Sequence, residues 1–218
     1  MTNISPEGII HQVQTDLAGK VIEGYDIYRC IFVKKDGSYQ RTLEHFPENR
    51  ITMLIIISGL PGTGKTTLAR ALAKRLSVHH LNSDMVRDEL NRRGRYDAET
   101  KADIYREMFH RTSRLLEDGA TVIVDATFHQ AAYRRPYLEL IRSRADILKW
   151  IELKSDETLI RRRVNRKRAY SEADFSVYEK IKKAYEPLEV PHLELYSDDL
   201  NLEEMLKRAE GYLKEGNL

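Results

Sequence analysis

The sequence predicts an α/β fold built on a parallel β-sheet, and three observations support this prediction. Apolar runs rich in β-branched residues alternate with helix-forming segments from residue 53 onward, which is the pattern of successive strand–helix–strand units. A glycine-rich loop joins the first of these runs to the helix-forming segment 68–76. The chain of 218 residues is long enough to bury a full core, as one domain or as a domain with an extension.

Ahead of this region, residues 1–50 predict a β-hairpin extension to a main domain at 51–218. Strands are expected over Ile27–Val33 and Tyr39–Leu43, on either side of an aspartate–glycine turn. The extension either covers part of the main sheet or serves as an arm for acceptor recognition or dimerisation. No motif separates these alternatives, and the oligomeric state stays open.

Caps, breakers and periodicity place the remaining elements. Asp97 is the expected N-cap of a long helix that Gly119 ends, and Pro136 is expected in the first turn of its own helix. The predicted strands are 78–83, 120–125, 147–153 and 192–196. The predicted helices are one starting at 84, 98–117, 135–144, 158–168, one capped by Asp174 that ends before Pro187, and 202–213.

Composition excludes several classes of protein. The net charge of +2 is too small to indicate nucleic-acid binding by itself. No apolar run approaches the roughly 20 residues of a membrane span, and the N-terminal segment has no signal-peptide pattern. The single cysteine, Cys30, cannot form an intrachain disulfide. We therefore expect a cytoplasmic protein that does not bind membranes.

Residues 59–66, Gly-Leu-Pro-Gly-Thr-Gly-Lys-Thr, fit the phosphate-loop pattern G-x-x-x-x-G-K-[ST]. Glycines let the backbone curl so that several N–H groups converge on one anion, and the following helix adds its positive end. Lys65 supplies a charge for the β- and γ-phosphates, and Thr66 offers a hydroxyl to Mg²⁺. A chance glycine turn is disfavoured because a strand precedes the loop and a helix follows it. The residues expected to bind the nucleotide are Gly59, Pro61, Gly62, Thr63, Gly64, Lys65, Thr66 and Thr67.

Two aspartates fall at the carboxyl ends of predicted strands, where open parallel sheets bind ligands. Asp84 is either an ordinary acid at a helix start or a general base that takes the proton from an attacking hydroxyl. Arg87, one turn later on the same face, is either exposed or holds an anionic acceptor. Asp125 ends an apolar strand, as a Walker-B acid does, and would hold Mg²⁺ through water or orient the acceptor. Its neighbour is Ala126 rather than the glutamate common in motor-type ATPases, which favours group transfer over hydrolysis.

A basic run at 161–168 contains six Lys or Arg residues among eight. Such a run is often a solvated helix face or a nucleic-acid patch. Arg162 and Arg166 are one helical turn apart, so they would also be able to close together on a transferring phosphoryl group. A mobile arginine lid of this kind would exclude water.

Residues 53–190 resemble the P-loop kinase group that includes 5′-hydroxyl polynucleotide kinases, zeta-type toxins, chloramphenicol phosphotransferases and gluconate-kinase-like enzymes. The resemblance rests on the phosphate loop, on Asn-Ser-Asp-Met-Val-Arg at 82–87, on Val-Ile-Val-Asp-Ala-Thr at 122–127 and on the arginine spacing in the basic run. It implies a P-loop NTPase fold of the nucleotide-kinase type. This is a three-layer α/β/α arrangement with the loop-bearing strand central in a parallel sheet and a helical lid.

The resemblance also implies roles for individual residues. Asp84 matches the general base of the D-x-x-R segment, and Arg87 matches the arginine that grips a phosphate of the acceptor strand. Asp125 would face the acceptor or Mg²⁺, and the arginine pair 162 and 166 would contact the nucleotide phosphates. Polynucleotide kinases often have asparagine where this chain has Phe128. We expect Thr127 and Phe128 on the acceptor side, with Tyr96 and Tyr133 as further candidates for its wall, although aromatic residues at these positions fit the core equally well.

The predicted function is ATP- and Mg²⁺-dependent transfer of the γ-phosphoryl group to an acceptor hydroxyl. Arg87 and the basic lid favour a polynucleotide 5′ end, and a small sugar, nucleoside, antibiotic or sugar nucleotide is the alternative. A nucleotide-dependent switch without acceptor chemistry is the alternative from another class. No N-K-x-D guanine signature is present, and no motif identifies adenine.

Overall fold

A computed structural model describes residues 27–35, 38–46, 52–144, 146–164 and 175–215. The chain divides into two units, Met1–Arg50 and Ile51–Leu218. In the first unit, strands β1 (Ile27–Lys35) and β2 (Ser38–Phe46) pair antiparallel, with Lys35 opposite Ser38. This pairing confirms the predicted hairpin strands, and each strand runs further than predicted.

The second unit is built on a five-stranded parallel sheet. Its strand order is β4-β5-β3-β6-β7, so the strand that leads into the phosphate loop is central. Both features confirm the fold class expected from the sequence. The strands are β3 (Met53–Gly59), β4 (His79–Asn82), β5 (Val122–Asp125), β6 (Ile147–Ser155) and β7 (Leu193–Ser197).

Helices cover both faces of this sheet. They are α1 (Lys65–Leu76), α2 (Ser83–Glu89), α3 (Ala98–Glu117), α4 (Ala131–Arg144), α5 (Glu157–Val164), α6 (Phe175–Lys183) and α7 (Leu202–Lys214). None of the helices in the described ranges combines the length and apolarity needed to cross a membrane.

The alternation of side chains along β3 produces the three layers. Leu54 and Ile56 pack into one core with side chains of α2, α3 and α4, whereas Ile55 and Ile57 pack into a second core with α1 and α7. All four side chains are fully buried, and each such burial stabilises the fold by about 2 kcal/mol. The result is the predicted α/β/α arrangement with the phosphate loop at the carboxyl edge of the sheet.

The structure confirms the predicted ends of the long helix α3, whereas the predicted start of α4 was wrong. Asp97 accepts a hydrogen bond from the Thr100 N–H at 2.8 Å, as an N-cap does. Helix α4 starts at Ala131 rather than at residue 135, and Pro136 lies inside it. Its first N–H, that of Ala131, donates to the carboxylate of Glu186, 55 residues away. The sequence predicted a start of α4 beside Pro136 because proline favours the first turn of a helix. The contact with Glu186 was not predicted because no sequence pattern near residue 131 indicates so distant a partner.

Candidate active site

The phosphate loop connects the end of β3 to the start of α1, and its neighbours hold it closely. A Cβ at Gly59 would lie 2.4 Å from the carbonyl oxygen of Leu153 in β6, so only glycine fits. Gly62 has φ 87°, and a Cβ there would lie 2.9 Å from the Val164 side chain of α5. The Ser197 hydroxyl at the end of β7 donates to the Thr63 carbonyl at 2.5 Å. The loop is therefore fixed by two strands and a helix before any ligand binds.

A cavity of about 280 Å³ opens beside the loop. Lys65 and Thr66 of the loop line it, together with Asp84 and Arg87 of α2 and Thr127 after β5. Five residues predicted from three separate sequence segments thus meet at one concave site. The lysine of the loop and the candidate base line the same space, which is the arrangement that phosphoryl transfer requires.

Asp84 and Arg87 form an ion pair at the cavity wall. Arg87 Nη1 donates to Asp84 Oδ1 at 2.7 Å, and the arginine side chain is only 7% exposed. The guanidinium carbon lies 4.7 Å from the ring centre of Tyr96, which also lines the cavity. Burial raises the pKa of Asp84 above its ordinary value of 3.8, and Asp125 adds to this increase, while Lys65 and Arg87 oppose it. A raised pKa suits a carboxylate that must accept a proton.

Asn82, which the sequence analysis did not single out, links the parts of the site. Its side-chain oxygen accepts hydrogen bonds from the N–H groups of Asp84 and Met85, both at 3.0 Å, and so caps α2. Its side-chain nitrogen donates to Asp125 Oδ2 at 2.6 Å and to the Thr66 hydroxyl at 3.3 Å. Asparagine just before a helical segment is a recognisable cap signal. Its second set of partners comes from distant segments and is visible only in the fold.

Asp125 and Thr66 fit the predicted Mg²⁺ site. Asp125 is fully buried at the end of β5, and its Oδ1 atom has no hydrogen-bond partner in the described part of the chain. His80 Nε2 lies 3.5 Å from the other carboxylate oxygen. A buried carboxylate oxygen left free beside a phosphate-loop hydroxyl is the type of ligand that Mg²⁺ uses, directly or through water.

The lid region differs from its prediction. Arg162 is exposed and pairs with Asp199, so it does not line the cavity. The next residue, Arg163, contacts the loop instead: its Nη1 donates to the Ser197 hydroxyl at 2.9 Å and to the Gly62 carbonyl at 3.4 Å. Side chains of adjacent residues in a helix point in directions about 100° apart. The sequence of the basic run therefore does not predict which arginine faces the loop. Arg166 lies outside the described residues, and its predicted role stays a prediction.

Phe128 occupies a different place from the one predicted. Its side chain is 1% exposed and packs edge-on against Tyr137 and Trp150, away from the cavity. Its φ of 49° turns the chain here. The turn is held by the Tyr105 hydroxyl, which accepts from the Phe128 N–H at 3.0 Å, and by Arg134 Nε, which donates to the Phe128 carbonyl at 2.7 Å. The wall of the cavity therefore takes its aromatic surface from Tyr96 and Tyr105 rather than from Phe128.

Tyr133, a predicted candidate for the cavity wall, does not line the cavity. Its ring stacks against that of Tyr105, which does, with ring centres 4.1 Å apart.

Several residues that line the cavity were not predicted from the sequence. Burial lowers the pKa of Lys101, and the nearby charge of Arg87 adds to the effect. Burial, with the charges of Lys101 and Arg134, lowers the pKa of His129 from 6.5 to about 4, so this ring is neutral near pH 7. The lining residues missed by sequence analysis are Ser83, Lys101, Tyr105, His129, Val177, Lys180 and Ile181.

A second cavity of about 330 Å³ lies against α1. Thr66 lines both cavities, whereas Thr67 lines the second cavity and not the first. Arg70, Lys74 and Leu202 complete its main surface. The start of α1 therefore borders two spaces, one containing the candidate base and one without any carboxylate in its described lining.

Comparison with known proteins extends these observations. Residues 54–188 match the model of the family AAA_33, described as AAA domain. Adenylyl-sulfate kinase of Chloroflexus aurantiacus is 30% identical over 168 residues, which cover 73% of this chain and 88% of that protein. The solved APS kinase CysC of Mycobacterium tuberculosis, in complex with AMPPNP and APS, superposes with a TM-score of 0.60 at 18% identity, over 75% of this chain and 98% of that one. A gluconokinase from Sinorhizobium meliloti 1021 gives a TM-score of 0.57 at 16% identity, over 76% and 93% of the two chains.

Proposed function

Because the chain belongs to the AAA_33 family of AAA domains, we propose that it transfers the γ-phosphoryl group of ATP to a hydroxyl group of a small acceptor molecule. Its curated relative at 30% identity is a kinase, and the structural relatives include kinases with the same fold. The chain is an ATP-dependent phosphotransferase.

A single observation carries the proposal: Lys65 and Asp84 line one cavity. Lys65 would hold the phosphates at one side of this space, and Asp84 would accept the proton of an acceptor hydroxyl at the other. Positioning and charge stabilisation account for most of the catalysis of phosphoryl transfer, so a lysine and a base facing each other supply its main parts. A nucleotide-dependent switch without an acceptor would need no general base at this place.

Mg²⁺ fits between Thr66 and Asp125, and when bound it would neutralise charge that develops on the phosphates. Asn82 holds both of these residues through its side-chain nitrogen, and its side-chain oxygen caps the helix that carries Asp84. Hydrogen bonds from Asn82 would therefore hold the candidate metal ligand Asp125 and the candidate base Asp84 at a fixed distance from each other. Arg163, whose side chain donates to the Gly62 carbonyl of the phosphate loop, is the arginine of α5 that we expect to act on the phosphates.

The second cavity, lined by Thr67, Arg70 and Leu202, is the natural place for the nucleoside part of ATP. It shares Thr66 with the first cavity, and its described lining has no carboxylate that would repel the phosphates attached to the nucleoside. With the nucleoside there, the γ-phosphate would point toward the cavity that contains the base. The two spaces would thus be divided between donor and acceptor.

The volume of about 280 Å³ in the first cavity suits a small acceptor. The pairing of Arg87 with Asp84 also fits the polynucleotide activity that the D-x-x-R resemblance predicts. A 5′-hydroxyl end of a nucleic acid is therefore the second candidate, with only its terminal nucleotide entering the cavity.

The direct test is Asp84→Asn, assayed with γ-labelled ATP against sugars, nucleosides, sugar nucleotides and 5′-hydroxyl oligonucleotides. Removal of a general base slows transfer by roughly 10²- to 10⁴-fold. Asp88→Asn, on the exposed face of the same helix, is the matched control and should leave the rate unchanged. Wild-type activity should also decline on acidification at a pH above 3.8, because the pKa of Asp84 is raised and its protonated form accepts no proton.

Two results would contradict the proposal. Asp84→Asn transferring to a working acceptor at the wild-type rate would exclude Asp84 as the base. ATP binding that depends on Lys65, with no transfer to any acceptor class, would instead favour the nucleotide-dependent switch.

A further inference from the structure

Three side chains on the acceptor wall carry nitrogen atoms without partners. His129 is 4% exposed, and its Nδ1 atom is buried with no hydrogen-bond partner among the described residues. Arg87 Nε is also buried and has no hydrogen-bond partner within the described ranges. Lys101 is half-buried, and its ammonium group makes no hydrogen bond or ion pair to any residue that the structure describes. Buried polar groups are normally satisfied, so such a group in a cavity wall indicates a missing partner.

The charge of this wall is unbalanced. Apart from Lys65 of the loop, the described lining has three cations, Arg87, Lys101 and Lys180, and one carboxylate, Asp84. That carboxylate already pairs with Arg87. Two positive charges therefore have no counterion in the described lining, and an anion in the cavity would neutralise them.

We propose that Lys101 and His129 join Arg87, whose anion-binding role the resemblance already implies, in binding a phosphate, sulfate or carboxylate group of the acceptor. The inference rests on the proposed kinase function, whose acceptor site it deepens. Lys101 and Arg87 would supply charge, and the neutral imidazole of His129 would add one hydrogen bond. Because Arg87 Nη1 is 2.7 Å from Asp84 Oδ1, the anionic group and the reacting hydroxyl would occupy neighbouring positions. The acceptor is thus an alcohol with its anionic group close to the reacting hydroxyl.

The site can be tested without knowing the acceptor. Inorganic sulfate is titrated into the full-length protein saturated with AMPPNP and Mg²⁺, so that the phosphate loop is already occupied. Binding is followed by the imidazole NMR signals of His129, which are assigned by their loss in His129→Asn. A saturable shift is expected for the wild-type protein. Lys101→Met should weaken sulfate binding about 10- to 100-fold, as the loss of a charge-assisted hydrogen bond does.

Two further variants control this measurement. Lys101→Arg keeps the charge and should restore most of the affinity. Lys207→Met removes an exposed lysine from α7 and should change nothing. An absent sulfate shift in the wild-type protein, or equal affinity in Lys101→Met and wild type, would overturn the proposed anion site.

Matched acceptor pairs then separate this inference from the proposed function. The pairs are glycerol 3-phosphate with glycerol, gluconate with glucose, and a nucleoside 3′-phosphate with its nucleoside. Transfer only to the anionic member of a pair supports the inference, and equal transfer to the neutral member overturns it while leaving the kinase function intact. Sulfate binding that depends on Lys101, without transfer to any compound, would support the anion site and count against the proposed transfer. Transfer to 5′-hydroxyl oligonucleotides but not to nucleoside 3′-phosphates would identify a nucleic-acid backbone as the source of the anion.

Discussion

Replacing Asn82 by alanine should cost more stability than the loss of an ordinary helix cap. The side chain is 3% exposed and caps α2 through two hydrogen bonds of 3.0 Å. Loss of an asparagine cap costs about 1 kcal/mol. Its side-chain nitrogen also donates to the buried Asp125 carboxylate at 2.6 Å, and losing a hydrogen bond to a charged group costs about 2 kcal/mol. Together these contributions predict that Asn82→Ala lowers the free energy of unfolding by about 3 kcal/mol.

Urea unfolding followed by circular dichroism measures this loss, provided that the transition is two-state. Asp97→Ala is the matched control, because Asp97 caps α3 and accepts from the Thr100 N–H without linking other segments. It should cost about 1 kcal/mol. Asn82→Ser keeps a capping oxygen but removes the donor to Asp125, so it should lose about 2 kcal/mol.

The variant series also separates stability from function. Because Asn82 holds the start of the helix that carries Asp84, the turnover number should fall in both Asn82 variants even where the protein is fully folded. Asn82→Ala costing no more than Asp97→Ala would refute the argument that Asn82 links the candidate base Asp84 to the candidate metal ligand Asp125.

Two further predictions follow from the lid and from His129. Arg163→Ala should weaken AMPPNP binding measured by calorimetry, because Arg163 contacts the phosphate loop. Arg162→Ala removes only an exposed ion pair and should change binding little; equal effects of the two variants would contradict this assignment. The pKa of His129 is about 4 in the folded state and 6.5 without burial. As the pH falls, the unfolded chain therefore takes up a proton at this residue before the folded protein does. The stability that the neutral ring confers is therefore present above pH 6.5 and is lost as the pH falls toward 4. His129→Asn should flatten this part of the curve of unfolding free energy against pH, and a curve unchanged by the substitution would contradict it.

The sequence predicted the fold well because the signals for it are local. The alternation of strands and helices, the cap at Asp97 and the phosphate loop each depend on residues within a few positions of one another. The start of α4 was predicted wrongly because its first N–H is satisfied by Glu186, which no local pattern indicates. Phe128 was placed on the wrong surface because its left-handed backbone turn depends on partners from α3 and α4.

The candidate site divides in the same way. The nucleotide half is one continuous stretch of chain, because a loop that wraps an anion with its own backbone has to be continuous. Residues 59–66 therefore determine it by themselves. The acceptor half is assembled from α2, α3, the segment after β5, and α6. Which side chain each element presents there depends on how the helix rotates against its neighbours. Only the tertiary structure therefore selected Arg163 over Arg162 and brought Lys101 and His129 into the same wall, since packing sets that rotation and sequence spacing does not.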